Sequence, residues 1–143
     1  DILYFSQRIG LDNVPDFDLL DRELTAIFRL IVKYVPEERI AVKHHPAHGY
    51  DKKAIRVGTE LDPSIPAEYL YSEKIKMYLS LWSIAITNAE KGLIVSIMDL
   101  LTLKSEELRS HYREYLTGMA KSEILFPRSL DEFEKILIQI KNE

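Results

Sequence analysis

The sequence predicts an α/β domain built on a Rossmann-like, doubly wound and mostly parallel sheet. Two observations lead there. Short runs rich in β-branched and aromatic residues alternate with longer segments of helical period. The 143-residue chain is long enough for one substantial core but not comfortably two, and it carries no internal repeat.

Residues 2–7 (Ile-Leu-Tyr-Phe-Ser-Gln) read as the first strand. A loop holding Asn13 and Pro15 follows. Residues 18–35 then place Leu20, Leu24, Ile27, Phe28, Ile31 and Val35 on one helical face, and Pro36 ends the helix. A strand is expected over 39–45, closed by Pro46, with a further short strand over 54–57. Pro66 suits the start of a short helix over 67–73. Residues 75–80 form the next strand, 83–90 a helix broken by Gly92, and 93–97 another buried strand. Ser105, followed by Glu106 and Glu107, opens a helix with a buried stripe expected at Leu108, Tyr112, Tyr115 and Met119. Residues 124–126 read as a short strand. Ser129 and Glu132 form a capping box ahead of Phe133, Ile136, Leu137 and Ile140.

Composition narrows the function classes. Nineteen Lys and Arg stand against 23 Asp and Glu, with no basic stripe, so nucleic acid is not an expected partner. No apolar run approaches the length needed to span a bilayer. Without cysteine there is no thiolate catalysis and no cysteine-held metal. His44, His45 and His48 lie close together, but neighbouring histidines on a strand point to opposite faces and no acidic residue stands at a ligand's spacing, so no metal is expected. The opening directly into strand-like sequence raises the expectation of a domain cut from a longer protein.

The chemistry gathers where the strands end. In Lys43-His44-His45-Pro46 the proline halts ladder pairing, leaving the His45 imidazole at a strand's carboxyl end, where open α/β sheets bind ligands. Such an imidazole can donate to a departing phosphate oxygen. Its plainer reading is a turn-capping histidine. Lys43 shares the face of His45 and could reach a base or a phosphate; it could equally be a lysine with its stem on apolar surface. Glu68, beginning a short helix, could accept from both hydroxyls of a ribose or simply complement the helix dipole. Ser83 begins a helix directly after a strand, a place that suits an anion and also an ordinary N-cap. Alternation turns His44 away from the crevice. Five glycines assemble no phosphate-cradling loop, which favours a nucleoside monophosphate over a diphosphate.

These residues resemble the carboxyl-terminal, nucleotide-binding half of a bacterial sialyltransferase of the two-domain GT-B type. The similar families are glycosyltransferase family 52 (the lipooligosaccharide sialyltransferases) and the related polysialyltransferases. The histidine-proline motif corresponds to His45-Pro46 with Lys43 before it. The Pro-x-Glu segment corresponds to Pro66-Ala67-Glu68, and the serine-rich helix start to Trp82-Ser83-Ile84-Ala85. Tyr4-Phe5-Ser6-Gln7 resembles the domain's first strand. Two departures stand out: Trp82 replaces the first hydroxyl residue of the serine pair, and the acidic-acidic-Gly motif survives only as Leu11-Asp12-Asn13, with Asn13 standing in for glycine in a left-handed backbone.

The resemblance spans essentially all of this chain and about half of such an enzyme. It implies that residues 1–143 are a donor-binding domain for CMP-sialic acid, working without metal or further cofactor. Sialic acid would pass with inversion to a hydroxyl of an acceptor glycan, lipooligosaccharide or capsular saccharide. Asp12, or a carboxylate outside these residues, would be the general base, and His45 would donate to the phosphate. Ser83 and its helix start would hold that phosphate beside Trp82, Glu68 would fix the ribose, and Lys43 would contact the cytosine or the phosphate, with Pro46 also at the donor. The implied setting is the bacterial cytoplasm, with the inner face of its membrane as one place of work. Peripheral membrane association and a homodimer remain open. Two other readings stand: a GT-B transferase using a UDP- or GDP-sugar, and a non-catalytic doubly wound interaction or regulatory domain.

Overall fold

The computed structural model describes residues 1–45 and 57–143. Five parallel strands form its sheet: β1 (Ile2–Phe5), β2 (Ile40–Lys43), β3 (Thr59–Glu60), β4 (Met77–Ser80) and β5 (Leu93–Ser96), in the order β3-β2-β1-β4-β5. The order reverses between β1 and β4, as in a Rossmann-like doubly wound sheet. β1 is central, with Ile2 paired to Ile40 on one side and Met77 on the other, and all four of its residues are buried. A strand covered on both faces has no polar side to present, which is why Ile-Leu-Tyr-Phe shows no alternation.

Helix α1 (Phe17–Tyr34) connects β1 to β2; α2 (Glu106–Met119) and α3 (Leu130–Asn142) follow β5. The Asp16 carboxylate caps α1 by accepting from the Leu19 N–H at 2.7 Å. Steps from β1 to β2 and onward to β3 run one way across the sheet, whereas β3 to β4 to β5 run the other. Right-handed crossovers therefore put the β1–β2 connection on one face and the β3–β4 and β4–β5 connections on the other. On one face α1 and α3 bury Leu24, Ile27, Ile31, Phe133 and Leu137 against Ile2, Tyr4, Val42, Leu79 and Val95. Lys33 and Tyr34 of α1 both hydrogen-bond Glu134 of α3, and these bonds hold its carboxyl below the usual range. On the other face Leu3, Phe5, Tyr78 and Ile94 are covered by Ile86 and Ala89 and by Ala67, Leu70 and Tyr71, and among the described residues no α-helix contributes.

Several expectations change. The segment 83–90 is a short 3₁₀ helix (Ile84–Asn88), and 67–73 contains only the 3₁₀ turn Ala67–Tyr69. Two isoleucines and a threonine in Ile84-Ala85-Ile86-Thr87 disfavour α-helix, and the Thr87 hydroxyl donates to the Ile84 carbonyl at 2.6 Å. The 124–126 strand is reduced to one parallel bridge, Leu125 with Val95. The segment expected at 54–57 lies outside the described residues apart from Val57, and β3 begins two residues later. Gly58 turns the chain into β3 at φ +84°, where an added Cβ would meet the Ile40 carbonyl at 2.5 Å.

Helix α2 does not bury the expected stripe. Leu116 is its buried residue, while Tyr115 and Met119 are about half exposed. At ~100° per residue, Arg109, Tyr112, Arg113 and Leu116 share one arc, with Leu108, Tyr115 and Met119 on its edge. The inward arc thus carries two arginines. Asp99 pairs with both, and the Met98 and Leu101 carbonyls accept from Arg109 at 2.6 and 2.9 Å. An apolar-stripe argument misses such a helix because it cannot foresee a satisfied guanidinium.

Candidate functional site

Two adjoining cavities open at the carboxyl edge of the sheet, on the face covered by the 3₁₀ turns. The first, about 740 Å³, is bordered by Phe5 and Ser6 from the end of β1, Lys43-His44-His45 from the end of β2, and the Asp62–Ala67 loop. The second, about 890 Å³, has Glu68, Tyr71, Tyr78 and the Ser83–Ala85 turn in its walls. His45, Ala67, Ser83 and Ala85 border both, so the two cavities share one wall.

β2 carries the chain into this wall. After Lys43 the ladder ends and His45 emerges exposed. Ser83 caps the Ile84–Asn88 turn, its hydroxyl oxygen accepting from the Ala85 N–H at 3.2 Å. That leaves the hydroxyl proton for another acceptor. The expectation of a full helix start there is corrected: a single 3₁₀ turn has no macrodipole comparable to that of an α-helix, so the hydroxyl remains as the polar group. Glu68 is exposed on its own 3₁₀ turn, at the second cavity. His45, Glu68 and Ser83, from three different segments, therefore line one cavity.

Lys43 lines the first cavity only. Its ammonium is buried and donates to the Pro63 carbonyl at 2.8 Å and the His44 carbonyl at 3.0 Å, tying the Asp62–Pro66 loop to the end of β2. Burial lowers its pKa, partly opposed by Asp62. The Asp62 carboxylate accepts from both the N–H and the hydroxyl of Ser64, and those bonds hold it below its ordinary value. In the second cavity the floor is aromatic. Tyr71 and Tyr78 lie 5.5 Å apart; the Tyr71 hydroxyl donates to the Ala85 carbonyl, and the Tyr78 hydroxyl to the Ser72 carbonyl at 3.1 Å. Burial pushes the Tyr71 phenol up. Exposed pairs Lys91–Glu73 and Lys121–Glu90 bring both signs of charge to the rim.

Two candidates stand apart from this wall. Trp82 is 8% exposed and stacks on Tyr112 of α2, ring centroids 4.8 Å apart and planes at 4°. It borders neither cavity. A large apolar ring next to an α2 aromatic is better buried than left at a polar rim. Its backbone N–H donates to the buried Gln7 side chain at 2.8 Å, which ties the end of β1 to the Ser83 turn. Asp12 sits exposed on the turn after β1, outside both linings. Asn13 does not adopt a left-handed backbone, since no described non-glycine residue has positive φ. Its side chain instead accepts from Gly10 N–H at 2.9 Å and donates to the Tyr112 hydroxyl at 2.6 Å. Pro46 and His48 lie outside the described residues.

His44 was not expected at the site, yet it borders the first cavity. Its ring spans Ser6, just past the end of β1, and Glu60 of β3. The signal was the cross-strand register that places Ser6 beside His44, and a lone sequence does not show register. Among the described residues no three His, Asp or Glu side chains group as a metal site would, and no helix is long and apolar enough to cross a membrane. No family model and no curated protein matches this chain.

Proposed function

We propose that this domain binds a nucleoside monophosphate across the shared wall of the two cavities, as the donor half of a GT-B-type glycosyltransferase. On this reading the donor is CMP-sialic acid, and sialic acid passes with inversion to a glycan hydroxyl without a metal. The observation that carries it is the convergence of His45, Glu68 and Ser83 on one cavity at the carboxyl edge of a doubly wound sheet. The resemblance of Lys43-His44-His45-Pro46, Pro66-Ala67-Glu68 and Trp82-Ser83 to sialyltransferase segments supports the choice of nucleotide.

The chemistry follows from those groups. Leaving of CMP puts negative charge on its phosphate. The His45 imidazole donates to a phosphate oxygen, and the Ser83 hydroxyl adds a second donor, so the charge is met as it develops. Glu68 accepts from the ribose hydroxyls in the second cavity. Lys43 acts through the loop it holds, because two of its three donors are already engaged by carbonyls. Asp12 lies outside both cavity linings, so on this reading the base that deprotonates the acceptor comes from outside these residues.

Calorimetric titration with CMP, UDP and GDP tests the reading. Preferred binding of CMP, lost in Ser83→Ala combined with Glu68→Ala, is the expected result. A preference for a diphosphate would move the domain to another donor class. Absence of binding by all three would overturn the nucleotide reading.

A further inference from the structure

His44 is a buried imidazole that the proposed reaction does not use. It is 5% exposed, Ser6 beside it is 4% exposed, and both border the 740 Å³ cavity. His44 Nδ1 lies 2.9 Å from Ser6 Oγ and Nε2 lies 3.1 Å from Glu60 Oε1. The backbone holds this row in place: Ser6 N–H donates to the Lys43 carbonyl at 3.0 Å, and Val42 pairs with Glu60.

The partners dictate the proton positions. A carboxylate only accepts, so Nε2 carries a proton toward Glu60. A neutral ring then has a bare Nδ1, and the Ser6 hydroxyl must donate to it. When the ring gains a proton, Nδ1–H donates to Ser6 Oγ and the hydroxyl hydrogen is released. Both protonation states keep the two bonds of the row, but the protonated ring leaves the buried Ser6 hydroxyl hydrogen without its acceptor. Proton gain therefore costs little only when an acceptor enters the cavity to take that hydrogen. Among the described residues, the charged and titratable groups about the ring are Glu60 from β3, Asp62 from the loop beyond it, Lys43 at the end of β2 and the adjacent His45; the segment just past β1 presents the neutral Ser6.

We propose that His44 is a ligand-responsive positioning residue: a phosphate anion in the first cavity draws a proton onto it and releases the Ser6 hydroxyl to donate to that anion. This rests on the nucleotide reading and adds a second imidazole, one that takes up a proton without touching the ligand. A neutral nucleoside would not produce the effect.

The test is a residue-resolved NMR titration of the histidine side-chain nitrogens of the protein, alone, with saturating CMP and with saturating cytidine. CMP should move the His44 titration midpoint about one pH unit upward, equivalent to a tenfold rise in CMP affinity as pH falls through that range. Cytidine should leave it in place. Ser6→Ala should weaken CMP several-fold more than cytidine, and His44→Gln, which keeps a hydrogen-bonding side chain but cannot titrate, should flatten the extra pH dependence. If CMP binds and the His44 midpoint does not move, the inference is overturned and the nucleotide reading stands. If CMP does not bind, both fall.

Discussion

One face of the sheet lies under α1 and α3, the other under two 3₁₀ turns, and the difference accounts for where a ligand can go. The helical face buries a continuous layer of Leu, Ile and Phe side chains, clasped by Lys33 and Tyr34 on Glu134. Helices there stand off the sheet on interlocked side chains, and both described cavities lie elsewhere. On the turn face, among the described residues, coverage comes from short segments, with Ile86 and Ala89 at one turn and Ala67, Leu70 and Tyr71 at the other. Short turns leave the carboxyl edge open, and both cavities form between them. The same thinness sets the polar groups Lys43, His45, Glu68 and Ser83 within one region. On the proposed reading, stability and binding are thus divided between the faces.

Substitutions can break that division. The largest effect on stability should come from Phe133→Ala on the helical face, about 3–5 kcal/mol by denaturant unfolding. Ile86→Ala on the turn face, equally buried, should cost nearer 2 kcal/mol, because a thin layer can settle into the space. Equal costs would mean the turn face is packed as firmly as the other. On activity the order reverses. On the proposed transferase reading, His45→Ala should lower transfer by ~10²–10⁴-fold when an acceptor-binding half is present, while changing stability by under about 0.5 kcal/mol. Near-normal turnover would remove its donor role. Glu68→Ala should weaken CMP about tenfold in calorimetry with little change in melting temperature.

The smallest effect concerns Lys43. Its pKa is lowered by burial, so the folded state holds fewer protons than the unfolded state just below the ordinary lysine value of 10.5. Its contribution to stability is therefore present at high pH and is lost as pH falls through the folded value. The stability of the wild type relative to Lys43→Met should rise as pH climbs toward that range. A difference independent of pH would mean the ammonium is not desolvated in solution.

Much of the scaffold was legible because it rests on local signals. Pro36 stops α1 after Tyr34, Ser105 and Ser129 cap their helices, and the apolar runs at 2–5, 77–80 and 93–96 form the strands. What escaped depends on contacts between segments. The arginines on the inner arc of α2 are affordable only beside Asp99. Trp82 is a core residue only because Tyr112 lies under it. His44 faces a cavity only because β1 and β3 set Ser6 and Glu60 against its two nitrogens. For the candidate site, strand ends and turn starts pointed to His45, Glu68 and Ser83, yet the weakness of the 3₁₀ turns and the place of Asp12 needed the fold.

The central claim is that a nucleoside monophosphate occupies the turn face across the wall common to both cavities. Backbone amide shifts recorded during a CMP titration test it directly. The account predicts that shifts cluster at Ser6, His44, His45, Ala67, Glu68, Ser83 and Ala85, with α1 and α3 unmoved. Shifts centred on α1 and α3, or none at saturating CMP, would contradict it.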